Sequence, residues 1–251
     1  MVRKLLFGVF GVLSFTASLA NNLPSGFVYL KDVDPSILQD IRYSTYHNFV
    51  GRPIQGYEAA ECILTKPAAK ALHKVQEELL KSNLSLKVYD CYRPQMAVDD
   101  FIAWSAVKGD QITKAEFYPQ VDKADLFKLG YVAAKSSHSR GSTMDLTIVP
   151  IPTLQEATYH RGQKLVSCYA AYHDRFQDNS IDMGTGFDCM DERAHPDNIM
   201  VGVVAYQHRM ILQQLMLKYG FNPYPYEWWH FTLKDEPYPN TYFNFPITAE
   251  E

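Results

Sequence analysis

The chain has 251 residues, enough for one large domain or two small ones, and a hydrophobic fraction of 47% supplies a full core. Its formal net charge is -4, with 24 Lys and Arg against 28 Asp and Glu and no long basic run. That balance argues against tracking a phosphate backbone, so nucleic-acid binding is disfavoured.

Arg3 and Lys4 form a short basic region, followed by an apolar run from Leu5 to Phe15. Ser18-Leu19-Ala20 then places small residues where a signal peptidase needs them. A bilayer span needs roughly 20 apolar residues, and this run is shorter. It predicts a cleaved export signal over residues 1–20, with the mature chain starting near Asn21; an uncleaved anchor is the alternative. Nothing further along is apolar enough to span a membrane.

Thr65-Lys66-Pro67 predicts a helix start, with Thr65 able to cap and Pro67 suited to the first turn. Leu72, Val75, Leu79 and Leu80 follow at helical spacing. Leu84 to Tyr92 reads as a strand, with Leu84, Leu86 and Val88 alternating against polar residues. Pro94 opens a second helix carrying Ala97, Phe101, Ile102 and Trp104 and ending near Gly109. Met144 to Val149 alternates again: Met144, Leu146 and Ile148 face one way, Asp145 and Thr147 the other. Residues 150–182 are polar and irregular and are expected to be a surface excursion. Met200 to Tyr219 predicts the longest helix, with Gly220 at its C-cap. Trp228 to Lys234 is the last strand. Without a regular βαβ rhythm, the expected class is α+β, a single domain over residues 21–251 with a small, mainly antiparallel sheet flanked by helices. The active groups would lie along one face of that sheet.

Export makes Cys62, Cys91, Cys168 and Cys189 candidates for disulfides. Three complete pairings are open, and Cys168–Cys189 is favoured because it closes a short local loop. No Cys-x-x-Cys spacing occurs, which argues against a cysteine zinc site.

The chemistry concentrates in two segments, Ser136 to Asp145 and Glu227-Trp228-Trp229-His230. His138, Asp145 and His230 offer two imidazoles and a carboxylate, while Glu227 is a spare carboxylate. A catalytic zinc site needs three protein ligands, an open position for water and a base that is not a ligand. Gly141 permits a sharp turn or a close backbone approach. Glu227 and His230 are three apart, so in a regular strand they would face opposite ways. Both reach one metal only if the chain at Glu227 is still turning, and Pro223 and Pro225 favour that. Arg93, at a strand-to-helix junction, can bind a carboxylate or stabilise an oxyanion. Taken singly, each has an ordinary alternative: a loop histidine, a hydrogen-bonded aspartate, a surface arginine. The conjunction favours a site.

On these residues the chain resembles the D-alanyl-D-alanine dipeptidases of the VanX type, zinc peptidases of the wider D,D-carboxypeptidase superfamily. The resemblance runs from about Phe27 to Pro246 through Ile41-Arg42-Tyr43, Gly56-Tyr57-Glu58, Tyr92-Arg93-Pro94 and Gly130-Tyr131-Val132-Ala133. It continues through Ser136 to Leu146, Phe187 to Arg193, Glu227 to His230 and Asp235 to Asn240. It implies one zinc ion on His138, Asp145 and His230, Glu227 as catalytic base and acid, and Arg93 stabilising the transition state. It further implies Tyr43 and Asp188, with Ser136 close by, at the amino end of a small dipeptide substrate. Thr143 stands where the family's pattern has Ala, which implies a narrower pocket. A peptidoglycan D,D- or L,D-carboxypeptidase and a non-catalytic, zinc-stabilised cell-wall binding domain are the rival readings.

Overall fold

The computed structural model describes residues 23–250, so the leader expected over residues 1–20 lies outside the described residues. β1 (Phe27–Tyr29) pairs antiparallel with β3 (Ile63–Thr65) in a small ribbon. The main sheet has five strands, in the order β2 (Leu38–Gln39), β4 (Leu84–Asp90), β5 (Thr143–Pro150), β7 (Glu227–Leu233) and β6 (Phe221–Tyr224). Only β2 and β4 run parallel; the other pairs are antiparallel. The fold is α+β, as expected, with a mixed rather than purely antiparallel sheet.

Between the strands lie α1 (Leu30–Val33), α2 (Lys66–Leu80), α3 (Gln95–Ala106), α4 (Lys114–Phe117) and α5 (Val203–Lys218). α2 buries Leu72, Val75 and Leu79 of the predicted stripe, together with Ala68, in one hydrophobic cluster with Leu86, Val88, Leu146 and Ile148, whereas Leu80 at its last turn is exposed. Thr65 occupies the N-cap position of α2 but caps nothing: its hydroxyl is 2.6 Å from that of Ser142. A buried hydroxyl takes the partner at hand, and here that is another chain segment.

α5 is shorter than the periodicity predicts. Ile199–Val201 form a separate 3-10 turn, and Gly202 at φ 92° breaks the helical path before Val203. Its buried face holds Ala205, Leu212 and Met216 with Arg209 among them. The Arg209 guanidinium donates to the carbonyls of Met183, His195 and Arg193, each at 2.7 Å, so a buried cation ties the helix to the loop beside it. Gly220 follows the helix at φ 89°, in the left-handed conformation of a C-terminal cap.

Residues 151–191 carry no helix or strand, but they are only partly a surface excursion. The outgoing half is exposed, whereas Arg175 and Ser180 on the return are buried. There Ser180 Oγ lies 2.6 Å from Thr147 Oγ1, and Asp178 accepts from Tyr89 and Arg42. The return half covers the polar side of the sheet, because Thr147 and Lys87 would otherwise be buried without partners. Both disulfides are formed, Cys168–Cys189 as favoured and with it Cys62–Cys91.

Candidate active site

The site is laid out by sheet register. Asp145 on β5 stands opposite Asp90 on β4 and His230 on β7, so three adjacent strands present a row of polar side chains to one face. His138 joins them from a 3-10 turn, Ser137–Arg140, that leads into β5. The Ser136 side chain caps this turn on the His138 amide, and Gly141 ends it at φ 82°. A Cβ on Gly141 would fall 2.2 Å from the Phe27 ring, so both the conformation and the close approach require glycine.

His138 Nδ1 donates to the Cys91 carbonyl at 2.7 Å, which leaves Nε2 free. That atom lies 3.3 Å from Asp145 Oδ1 and 3.3 Å from His230 Nδ1, and the last two are 3.2 Å apart. His230 in turn has Ser137 Oγ 3.1 Å from its Nε2. Bonds of about 2.0–2.1 Å in a tetrahedron put ligand atoms about 3.3 Å apart, so the triangle has the size that zinc requires. Asp145 Oδ1 is buried without a well-aligned hydrogen bond, an orphan that a cation would satisfy. Burial by itself would lift the Asp145 carboxyl, but the imidazoles of His138 and His230 outweigh it and hold it well below the usual range. Burial likewise opposes the imidazolium of His230, yet Asp145 and Glu227 carry it up to about 9. These groups form a cation-seeking centre.

Glu227 is the first residue of β7, directly after the Pro225-Tyr226 turn, and the β6–β7 register shifts between Pro223 and Tyr224. That irregularity lets Glu227 Oε2 come within 3.3 Å of His230 Nδ1 despite the three-residue spacing. Pro223 fits an edge strand, as β6 is. Arg93 is anchored on Asp90, with Nε at 2.9 Å and a second nitrogen at 2.8 Å, and reaches Asp145 Oδ2 at 3.5 Å. Its guanidinium lies over the rings of Tyr43 and Phe101. Tyr43 Oη donates to Asp188 Oδ2 at 2.9 Å. Asp188 sits at φ 58°, and its carboxyl is pushed well up by burial first and then by the charges of Asp145 and Glu227.

Seven of the eight residues expected from the sequence, Tyr43, Arg93, Ser136, Asp145, Asp188, Glu227 and His230, line one cavity of about 360 Å³. His138 reaches the same centre through its Nε2. Phe49, Val98 and Phe101 give the cavity an apolar wall.

The model of the M15 peptidase family, described as D-ala-D-ala dipeptidase, matches residues 24–158 and 150–248. The chain belongs to this family. It is 39% identical over 226 residues to the D-alanyl-D-alanine dipeptidase of Enterococcus faecalis, covering 90% of this chain and 100% of that relative. Identity to the D-alanyl-D-alanine dipeptidase of Streptomyces coelicolor is 38% over 221 residues, or 88% of this chain and 98% of the relative. The Escherichia coli protein of the same name is 32% identical over 224 residues, 89% of this chain and 90% of its own length.

Sequence reasoning missed Asp90. Fully buried, it accepts from Tyr57 Oη at 2.6 Å as well as from Arg93 and lies 3.4 Å from His138 Nδ1. Strict alternation would place it with Leu86 and Val88 on the apolar side; a register shift between Val88 and Asp90 turns it toward Asp145 instead. The available signal was a carboxylate falling on an apolar stripe. Thr143 corrects another expectation. It is fully buried, and its hydroxyl lies 2.9 Å from that of Thr232, which itself lines the cavity. Thr143 is not among the residues that line the cavity and meets it only through Thr232.

Proposed function

We propose that this chain is a zinc-dependent dipeptidase that hydrolyses D-alanyl-D-alanine to two D-alanines. The observation that carries this reading is the His138–Asp145–His230 triangle with Glu227 beside it and not part of it. A structural zinc site is closed by a fourth protein ligand, whereas a catalytic one leaves a corner open. Two nitrogens and one carboxylate oxygen at tetrahedral spacing suit zinc better than the oxygen-rich sites of calcium or magnesium. His138, Asp145 and His230 would hold the zinc, which would supply Lewis-acid polarisation of a carbonyl and a water acidic near neutral pH.

The protein's own groups do the rest. Glu227 takes the proton of the attacking water and returns it to the leaving amine. Arg93, held by Asp90 and always charged, faces the oxygen on which negative charge develops. Asp188, oriented by Tyr43, pairs with the substrate's free ammonium. An acylated nitrogen has no charge for Asp188, which disfavours longer peptides. The leader-like N-terminus and the two disulfides support an exported enzyme acting in cell-wall turnover or D-alanine salvage.

The test is a hydrolysis assay with metal analysis on the same preparation. Release of D-alanine from D-alanyl-D-alanine, with one zinc per chain and little cleavage of the N-acetyl derivative, is expected. Equal rates on both would remove the role of Asp188. Preferential cleavage of peptidoglycan stem peptides would replace the dipeptidase reading with a carboxypeptidase.

A further inference from the structure

Both disulfides end next to the site. Cys91 lies between Asp90 and Arg93, and Cys189 follows Asp188. Their relation to the metal triangle differs. The Cys91 carbonyl is the acceptor that fixes His138 in the tautomer with a free Nε2. No atom of Cys168 or Cys189 is hydrogen-bonded to His138, Asp145 or His230 among the described contacts.

The β4 ladder ends at Asp90, and beyond it the chain is tied by the Tyr92 amide, which donates to the Ile63 carbonyl at 2.9 Å, and by the longer bond of the Arg93 amide to the His138 carbonyl at 3.4 Å. The bridge pulls on the same neighbour from one residue away: Cys62 adjoins β3, its amide donates to Gln39 Oε1 at 2.7 Å and its carbonyl accepts from the Leu30 amide at 2.9 Å. Cys62 and Cys91 are both completely or almost completely buried, so the anchor is a rigid part of the core. An acceptor that orients a ligating imidazole is worth about 10–100-fold in metal affinity.

We propose that the Cys62–Cys91 disulfide is a positioning device for the metal: it holds the Cys91 carbonyl against His138 Nδ1 and thereby sets zinc affinity. This rests on the zinc site of the proposed function. A bridge that acted only by shortening the unfolded chain would lower stability and leave the folded site unchanged. The other disulfide is the matched comparison, since the two close loops of similar length, with sequence separations of 29 and 21.

The experiment measures the zinc dissociation constant, by competition with a chromophoric chelator, for the full chain and for the C62A/C91A and C168A/C189A variants, well below their melting temperatures. The expected result is zinc binding weakened about 10–100-fold in C62A/C91A and changed less than about twofold in C168A/C189A. Equal affinities in all three chains, with lowered melting temperatures, overturn the inference while leaving the proposed function standing. Equal weakening in both variants overturns it too. If C62A/C91A does not fold, the volume-restoring C62V/C91A is measured instead, and its failure to fold overturns the inference in favour of a purely stabilising bridge. A wild-type chain that binds no zinc overturns the proposed function together with this inference.

Discussion

The two ends of one sheet face teach different lessons about buried charge. At the Lys87–Thr147 end, Arg42 bonds Asp40 at 2.5 Å and Asp178 at 3.0 Å, and Lys87 lies 3.6 and 3.9 Å from the same two carboxylates. Glu156 adds a third carboxylate 3.5 Å from Lys87, Tyr89 Oη donates to Asp178, and His47 bridges Arg42 and Glu116. At the Asp145 end Arg93 pairs with Asp90 and lies 3.5 Å from Asp145, while Asp188 and Glu227 add two more carboxylates to a cavity that Lys135 also lines. The first cluster satisfies its charges internally and holds chain segments together, with a cavity of about 290 Å³ lined by Asp40, Arg42, His47 and Glu156 beside it. An acid-rich cluster with an orphaned oxygen and an adjoining cavity can take a cation and a small ligand, as the proposed function requires.

The contrast can be broken most forcefully at the Asp145 end. Glu227→Ala should lower turnover by about 10²–10⁴-fold while zinc content stays at one per chain. Near wild-type turnover would dismiss Glu227 as the base. His230→Ala should lose zinc by metal analysis yet keep its circular dichroism, because that end owes little of its fold to balanced charge. Retained zinc would refute His230 as a ligand.

At the Lys87–Thr147 end the effect should fall on stability. Asp178→Ala takes one carboxylate from Arg42 and Lys87, which keep Asp40, and should cost about 1–3 kcal/mol in denaturant unfolding with an unchanged zinc dissociation constant. A loss of zinc affinity instead would show that the two ends are not separable. A milder probe is pH. Burial would raise the Asp178 carboxyl, but Lys87 and Arg42 prevail and leave it below its ordinary value of 3.8. Its contribution is therefore complete above that value and is lost as pH falls through the lower folded one. Unfolding free energy should decline in acid for the wild type, and less steeply for Asp178→Asn. The smallest change is Thr143→Ala. It leaves Thr232 without its hydroxyl partner and should cost about 1 kcal/mol with little change in KM. A large KM change would return Thr143 to the role of a pocket residue.

Much of this was legible in the residues. α2 and α3 announced themselves because their apolar residues recur on one buried face, and β5 because apolar and polar side chains alternate along it although both of its faces are buried. His138, Asp145, His230 and Glu227 stood out as candidates because ligand chemistry restricts residue type and two short segments concentrate the permitted types, whereas Tyr43, Ser136 and Asp188 were expected only from the family resemblance. What escaped notice depended on partners distant in sequence. The parallel pairing of β2 with β4, the shift that turns Asp90 inward and the return of Arg175–Ser180 onto Thr147 leave no local period. Gly202 was overlooked because helical periodicity does not report where the backbone leaves the helix.

From sequence alone came the inventory: which side chains can ligate, donate protons or carry permanent charge, and which stripes must be buried. Tertiary structure alone decided the arrangement. Register placed Asp145 across from His230, a shifted hairpin brought Glu227 to the same centre, and the Cys91 carbonyl oriented His138. The physical reason is range. Residue type and periodicity are properties of neighbours along the chain, whereas a triangle of atoms 3.2–3.3 Å apart is assembled from segments that meet only when the sheet is formed.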